Sequence, residues 1–183
     1  IIESLKKKKE NVIFISGHFN NFELMAMHLE NSGVNVAAIY RPLNNYFLNR
    51  SMEYIRKNYI CKKQIRKGRS GTREIVKLIN EGYSIALMID QRVSEGILSN
   101  FFNKQALTTS IPAQLIKKYK MKVVPIYIER FNKYHFNLMI NDPLSIDNDK
   151  TVKEITDILN FKLENMIKKN PDQWIWTHNR WKK

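Results

Sequence analysis

Ile13-Phe-Ile-Ser-Gly-His-Phe-Asn-Asn-Phe-Glu23 joins two hydrophobic periods in eleven residues. Asn11 to Ile15 reads as a buried strand, because the apolar run is unbroken and of strand length. From Phe22 the apolar positions recur as Phe22, Met25, Ala26 and Leu29, a helical period that Gly33 stops. His18 therefore falls where a strand turns into a helix. Backbone N–H groups are unpaired at a helix start, and the helix dipole disfavours a further positive charge there. Such a place keeps an imidazole neutral, as a general base requires. Glu23, five positions on, is placed as the carboxylate that orients it. A capping or packing histidine is the plainer reading of His18 on its own.

Working outward, strands and helices alternate. Val34 to Tyr40 reads as a second strand, and Leu48, Ser51, Met52, Ile55 and Tyr59 as a helix. Cys61 to Thr72 reads as a basic, Gly-punctuated loop, and Ile75, Val76 and Ile79 as a helix stopped at Gly82. Tyr83 to Ile89 is a third strand, followed by a loop from Asp90 to about Thr109. Ser110 opens a helix with Pro112 in its first turn. Lys122 to Arg130 and Tyr134 to Ile140 are strands. Thr151 and Glu154 form a capping-box pattern ahead of a helix that ends at Pro171. The alternation predicts an α/β fold, a layered and mostly parallel sheet flanked by helices. At 183 residues, with no repeat and no low-complexity linker, residues 1–183 read as one domain.

Three strands end in polar residues: the first in His18, the second in Arg41-Pro42, the third in Asp90-Gln91-Arg92. Ligands of open α/β sheets bind beyond the carboxyl ends of the strands. Parallel strands would bring His18, Arg41 and Asp90 to one edge. Singly, Arg41 reads equally as a partner for a surface carboxylate, Asp90 as a cap, and Gln91 as a backbone hydrogen-bonder.

Composition narrows the class. A 43% hydrophobic content suits a globular chain, and 31 Lys+Arg against 17 Asp+Glu leave a formal charge of +14. Such a surface attracts nucleic acid, anionic lipid, phosphorylated substrates or acidic proteins. The basic residues cluster at Lys6 to Lys9 and at Lys62, Lys63, Arg66, Lys67, Arg69 and Arg73; each cluster reads as a solvated face or as a dock for anions. The tail Trp174-Ile-Trp-Thr-His-Asn-Arg-Trp181 has the composition of a base-stacking or membrane-interface segment. Cys61 is the single cysteine, which excludes an internal disulfide and a thiolate zinc cluster. Lys62 and Lys63 beside it tend to lower a thiol pKa, but with no His close in sequence Cys61 reads as incidental. His18, His28, His135 and His178 lack the short pairings of zinc ligands, so no metal site is expected. No apolar run reaches the ~18 residues of a transmembrane helix.

The ordered blocks resemble a known family. Gly17-His-Phe-Asn-Asn-Phe-Glu23 is similar to the His-x4-Asp/Glu motif of glycerolipid acyltransferases, and more narrowly to the Gly-His-Phe-Gly-Asn-Trp-Glu version of the lipid A late acyltransferases (lauroyl/myristoyl transferases). Tyr40-Arg-Pro, Gly68-Arg-Ser-Gly-Thr-Arg-Glu-Ile75, Asp90-Gln91, Phe101-Phe-Asn-Lys-Gln-Ala-Leu-Thr108 and Pro171-Asp-Gln through Arg180-Trp-Lys182 resemble that family's further blocks in the same order. The departures are Asn20 for Gly, Phe22 for Trp and Trp181 for Phe. Asn20 is expected to leave less room beside His18.

The resemblance implies acyl transfer from an acyl carrier protein thioester to a hydroxyl of a phosphorylated glycolipid, a lipid A precursor. It implies no cofactor, no metal and no nucleic-acid partner. It assigns catalysis to His18, Glu23, Arg41 and Asp90. Substrate binding falls to Asn21, Gln91, Arg66, Arg69, Arg73, Phe101, Phe102 and Thr108, with Phe101, Phe102 and Leu107 lining an acyl groove, although an aromatic pair reads equally as core. It places the chain at the cytoplasmic face of the bacterial inner membrane and leads to the expectation of an N-terminal anchor upstream of Ile1. Two other readings stay open here: an acyltransferase acting on lysophospholipid, mannosylated lipid or amino-acid lipid, and a non-enzymatic basic module that binds RNA or membrane.

Overall fold

Strand and helix alternate along a computed structural model that describes residues 1–147 and 149–182. In chain order the first half holds α1 (Ile2–Lys8), β1 (Ile13–Ser16), α2 (Glu23–Asn31), β2 (Val36–Tyr40), α3 (Tyr46–Ile55), β3 (Lys63–Arg66), α4 (Arg69–Asn80) and β4 (Ser84–Met88). The second half holds β5 (Ile97–Phe101), β6 (Lys104–Thr108), α5 (Ile111–Tyr119), β7 (Val123–Asn132), β8 (His135–Ile140) and α6 (Val152–Lys169). Six strands form one sheet, hydrogen-bonded in the order β3-β2-β4-β1-β7-β8, mostly parallel and flanked by helices, as the alternation predicts. The chain forms two compact units.

The first unit comprises Ile1–Phe14 and Glu23–Leu87. Here β2 pairs in parallel with β3 on one side and β4 on the other, so that Ala37 lies opposite both Lys63 and Ile85. Val36, Ala37, Ile65 and Ile85 are at most 1% exposed and form its centre. Helix α4 lays Ile75, Leu78 and Ile79 inward at helical spacing. The segment read as a loop from Cys61 to Thr72 instead contains β3 and the first turn of α4. Its strand is an edge strand with one buried residue, Ile65, so it shows no apolar run. Gly71 is required by the tight return: a Cβ there would stand 2.0 Å from the Arg66 carbonyl oxygen.

The second unit comprises Ile15–Phe22 and Met88–Lys183. β7 and β8 pair antiparallel, and β5 and β6 form a separate hairpin inside the stretch read as a loop from Asp90 to Thr109. Phe102 and Asn103 turn that hairpin with φ of 50° and 59°. Positive φ at both turn positions suits a two-residue hairpin, but Phe is an unusual residue to carry it, and this hid the turn. Helix α6 opens on the predicted capping box: Thr151 accepts from the Glu154 N–H, and Glu154 accepts from Thr151 N. One face of α6 buries Ile155, Leu159, Leu163, Met166 and Ile167. A polar row on the same helix holds the hairpin. Asp157 accepts from Ser99 Oγ (2.6 Å), Glu164 accepts from Phe102 N (2.7 Å), and Asn160 donates to Ser99, Asn100 and Thr108.

The tail is anchored by two interior residues, while Trp176 between them is 59% exposed. Trp174 is 4% and Arg180 0% exposed, which leaves neither open to stack on bases or to lie at a bilayer. Among the described residues no helix is long and apolar enough to cross a membrane.

Candidate active site

The residues around His18 are pinned on both sides. Ser16 Oγ donates to the Ile126 carbonyl (2.6 Å), and the Ser16 carbonyl accepts from Ile89 N (2.9 Å). Phe19 is fully buried, edge-on to the Tyr127 ring at 4.8 Å and bridged to Trp174. The tail then runs beside the loop: Ile175 N donates to the His18 carbonyl, and Asn20 N donates to the Gln173 carbonyl, both at 2.9 Å. With its backbone groups bonded in this way, the loop holds one conformation without being helical. Gly17 permits the packing, since a Cβ there would meet Leu163 Cδ1 at 3.0 Å and the Phe19 ring at 3.1 Å.

Asn20 has φ of 41°, in the left-handed region. Gly and Asn tolerate that region best, so the departure at this position keeps the required backbone. Its side-chain amide donates to Gln173 Oε1, an oxygen that also accepts from Arg130 N (2.7 Å). The amide is thus engaged by Gln173.

One carboxylate grips His18 twice. Asp90 Oδ2 accepts from the His18 backbone N–H at 2.8 Å, and Asp90 Oδ1 faces His18 Nδ1 at 2.7 Å. Trp174 Nε1 donates to Oδ2 at 2.9 Å. Asp90 is 2% exposed, and burial alone would push its pKa up. The side-chain and backbone hydrogen bonds from His18, together with that from Trp174, outweigh burial and hold the carboxyl below its ordinary value. An ionised carboxylate only accepts hydrogen bonds, so Nδ1 carries a proton, and in the neutral ring Nε2 holds the lone pair. The imidazole is 20% exposed and lies edge-on to Phe22 at 4.7 Å. This is the arrangement of a general base with an orienting acid behind it.

Spacing along the chain assigns the orienting role to Glu23; the carboxylate on Nδ1 is Asp90, 72 positions away. The physical reason is local. Helix α2 begins at Glu23, so residues 18 to 22 are not helical and the five-residue spacing does not make a shared face. Glu23 is bound elsewhere, in the first unit. Its Oε1 accepts from Arg56 Nε (2.9 Å) and Nη2 (2.7 Å). The Arg56 guanidinium also lies 5.6 Å from the centre of the Tyr40 ring. Tyr40 donates its hydroxyl to Glu53 (2.6 Å), and burial together with that bond pushes the phenol up to about 12.

Arg41 follows β2, exposed and without a hydrogen bond or ion pair among the described residues. Arg66 lies in register with Tyr40, so the parallel pair brings Arg41 and Arg66 to the carboxyl ends of adjacent strands. Arg73 is exposed on α4, and the Arg69 side chain lies outside the described residues. Asn21 is exposed, its amide oxygen accepting from Arg130 Nη2 at 3.1 Å; Gln91 is half-buried beside Asp90. Phe102 is half-buried at the hairpin turn. Phe101 and Thr108 are interior, at 0% and 1% exposure, so neither is open to a ligand in this conformation. They are covered by residues of the aromatic-basic C-terminal tail. Arg180 donates to the Leu107 carbonyl (2.7 Å) and Thr108 Oγ1 (2.5 Å), and its guanidinium lies 5.0 Å from the centre of the Phe101 ring. Burial lowers the Arg180 pKa and the charge of Asp90 offsets part of that, which leaves it at about 10.

Trp174 and Arg180 are the contributors that the sequence reading missed; the Gln173-Trp174 block carried the only signal. Among the described residues no cluster of three or more His, Cys, Asp or Glu is arranged to hold a metal ion.

The comparisons agree with the ordered blocks. A family model described as "Bacterial lipid A biosynthesis acyltransferase" matches residues 1–183. Lipid A biosynthesis acyltransferase 2 of Shigella flexneri is 24% identical over 186 aligned residues, which cover 96% of this chain and 57% of that protein. The chain thus spans little more than half the length of that curated relative. With the motif at His18 and the family match over its whole length, the chain belongs to the bacterial lipid A biosynthesis acyltransferase family.

Proposed function

We propose that this chain carries an acyl transfer from an acyl carrier protein thioester to a hydroxyl of a phosphorylated lipid A precursor. The observation that carries the reading is the double grip of Asp90 on His18, which leaves Nε2 as the basic nitrogen. In the reaction Nε2 takes the proton of the acceptor hydroxyl as its oxygen bonds to the thioester carbon. The tetrahedral adduct then collapses, the C–S bond breaks, and the thiolate leaves with the proton that His18 held. Asp90 keeps the tautomer and stabilises the imidazolium in between.

Glu23 stays in the reading as the second motif residue, held in place by Arg56. Arg41 is assigned the developing oxyanion or a substrate phosphate. Arg66 shares its strand edge, and Arg69 and Arg73 follow in the next helix, so this cationic edge suits a phosphorylated acceptor. Asn21, Gln91 and Phe102 are assigned to substrate contacts around His18. The +14 charge suits both an acidic carrier protein and the cytoplasmic face of the bacterial inner membrane, where such an acceptor resides.

The test is mass spectrometry of the product formed by the purified chain from acyl carrier protein thioester and detergent-dispersed lipid A precursor. His18→Ala is expected to lower turnover about 10²- to 10⁴-fold while the chain keeps its native fold, with a lowered melting temperature because Asp90 loses a hydrogen-bond partner. Turnover near wild type in that variant removes the base assignment. Acylation of lysophospholipid in preference to the lipid A precursor would move the reading to another acceptor.

A further inference from the structure

Helix α3 faces the wrong way for a helix in water. None of its residues is buried, yet it is capped by Asn45, whose side chain accepts from Leu48 N at 3.1 Å. The side turned toward the protein is mainly polar and hydrogen-bonded, although Arg56 Nη1 is buried without a partner. Asn49 donates to Glu53, Glu53 also accepts from Tyr40, and Arg56 in the following π-helical turn (Arg56–Ile60) pairs with Glu23. The side turned outward carries Tyr46, Phe47, Leu48, Tyr54 and Ile55, with Phe47 80% and Tyr46 71% exposed. A surface helix ordinarily does the reverse. Seven of the thirteen exposed large hydrophobic residues among the described residues fall between Leu43 and Tyr59. A concentration of this kind marks an interaction surface rather than scattered exposure.

The charges around it narrow the partner. Arg50 lies on the outward face, and Arg41 and Lys57 are exposed on either flank. The one carboxylate of α3, Glu53, is turned inward and consumed by hydrogen bonds. Rings and aliphatic side chains ringed by unopposed cations are the composition of a helix lying in a lipid interface: Phe and Leu enter the acyl boundary, Tyr sits at headgroup level, and Arg and Lys meet phosphates. A second copy of the chain fits less well. A symmetric contact would set Arg50 and Lys57 close to the same cations of the other copy.

We infer that the outward face of α3 is the surface by which this unit docks on an anionic bilayer. The choice of a bilayer as occupant rests on the proposed lipid acceptor; the inverted helix does not depend on it.

The experiment is sedimentation of the full chain with sucrose-loaded vesicles of phosphatidylglycerol and phosphatidylcholine, or of phosphatidylcholine alone. Binding to the anionic vesicles is expected. The Phe47→Ser, Tyr54→Ser double variant should weaken it at least about tenfold. The Arg50→Gln, Lys57→Gln double variant should weaken it about tenfold at low salt and have little effect at high salt. Both should keep the wild-type melting temperature and His18-dependent turnover on detergent-dispersed acceptor; if the serine variant fails to fold, the charge variant decides. Vesicle binding that is absent in the wild type, or unaltered in these variants, overturns the inference. So does a concentration-dependent dimer, without vesicle binding, that the serine variant abolishes. Wild-type chain that binds through α3 but acylates nothing overturns the proposed reaction and leaves the docking surface standing.

Discussion

At the scale of single residues, the proposed base is defined by what stands behind it. His18 is positioned by a carboxylate that reaches both its backbone N–H and its Nδ1, and that carboxylate is steadied by Trp174. Trp174→Phe removes one charge-assisted donor, worth about 1.5 kcal/mol, which corresponds to about tenfold in rate. Its expected signature is a tenfold lower kcat with little change in KM, since Trp174 acts through Asp90 and not on substrate. An equal loss in KM would assign it to binding instead. Cys61 contrasts with this site. Its neighbours Lys62 and Lys63 favour a thiolate, yet the cysteine reads as incidental, and burial pushes the thiol up to about 12. The Sγ lies 3.3 Å from the carbonyls of Val36 and Lys63. Almost no thiolate exists near neutral pH. Labelling by an aromatic disulfide reagent at pH 8 should therefore be slow in the folded chain and rapid in denaturant; fast labelling of the native chain would contradict its burial.

At the scale of elements, α6 links local sequence to the interior. Its capping box satisfies two N-terminal donors, its apolar stripe enters the core, and its polar row holds the hairpin that carries Phe101 and Thr108. Thr151→Ala should cost about 1 kcal/mol, seen as a lower urea midpoint at unchanged slope. An unchanged midpoint would show that the box adds nothing beyond tertiary packing. The elements that escaped sequence reading share a cause. β3 has one buried residue, and β5–β6 turns through Phe102 and Asn103 without glycine. Neither advertises itself by hydrophobic period or turn chemistry, because each is held by side chains distant in sequence.

At the scale of the whole molecule, several carboxyls are held below their ordinary pKa. Burial pushes Asp90 and Asp157 up, but bonds from His18 in one case and from Lys153 and Ser99 in the other pull them lower still. In Glu53 the bonds from Tyr40 and Asn49 lead. A depressed carboxyl stabilises the folded chain above its unfolded value and loses that contribution as pH falls through the folded one. The melting temperature should therefore fall as pH drops below 3.8, the ordinary aspartate value. Asp90→Asn should flatten part of that fall; a melting temperature that rises on acidification would contradict the assignment.

The α/β class, five strands of the six-stranded sheet, the capping box of α6 and the strand end that carries His18 were all legible in the chain. Each rests on residues near one another in sequence, where period, caps and strand ends speak directly. What only the tertiary structure decided is who stands beside whom. It set Asp90 rather than Glu23 on the imidazole and gave Glu23 to Arg56. It folded Trp174 and Arg180 of an apparently exposed tail into the interior. It also turned the apolar face of α3 outward. The physical reason is that a hydrogen bond to a buried carboxylate depends on distance in space, and burial on everything packed above a residue. Neither quantity is written in the spacing of a single segment.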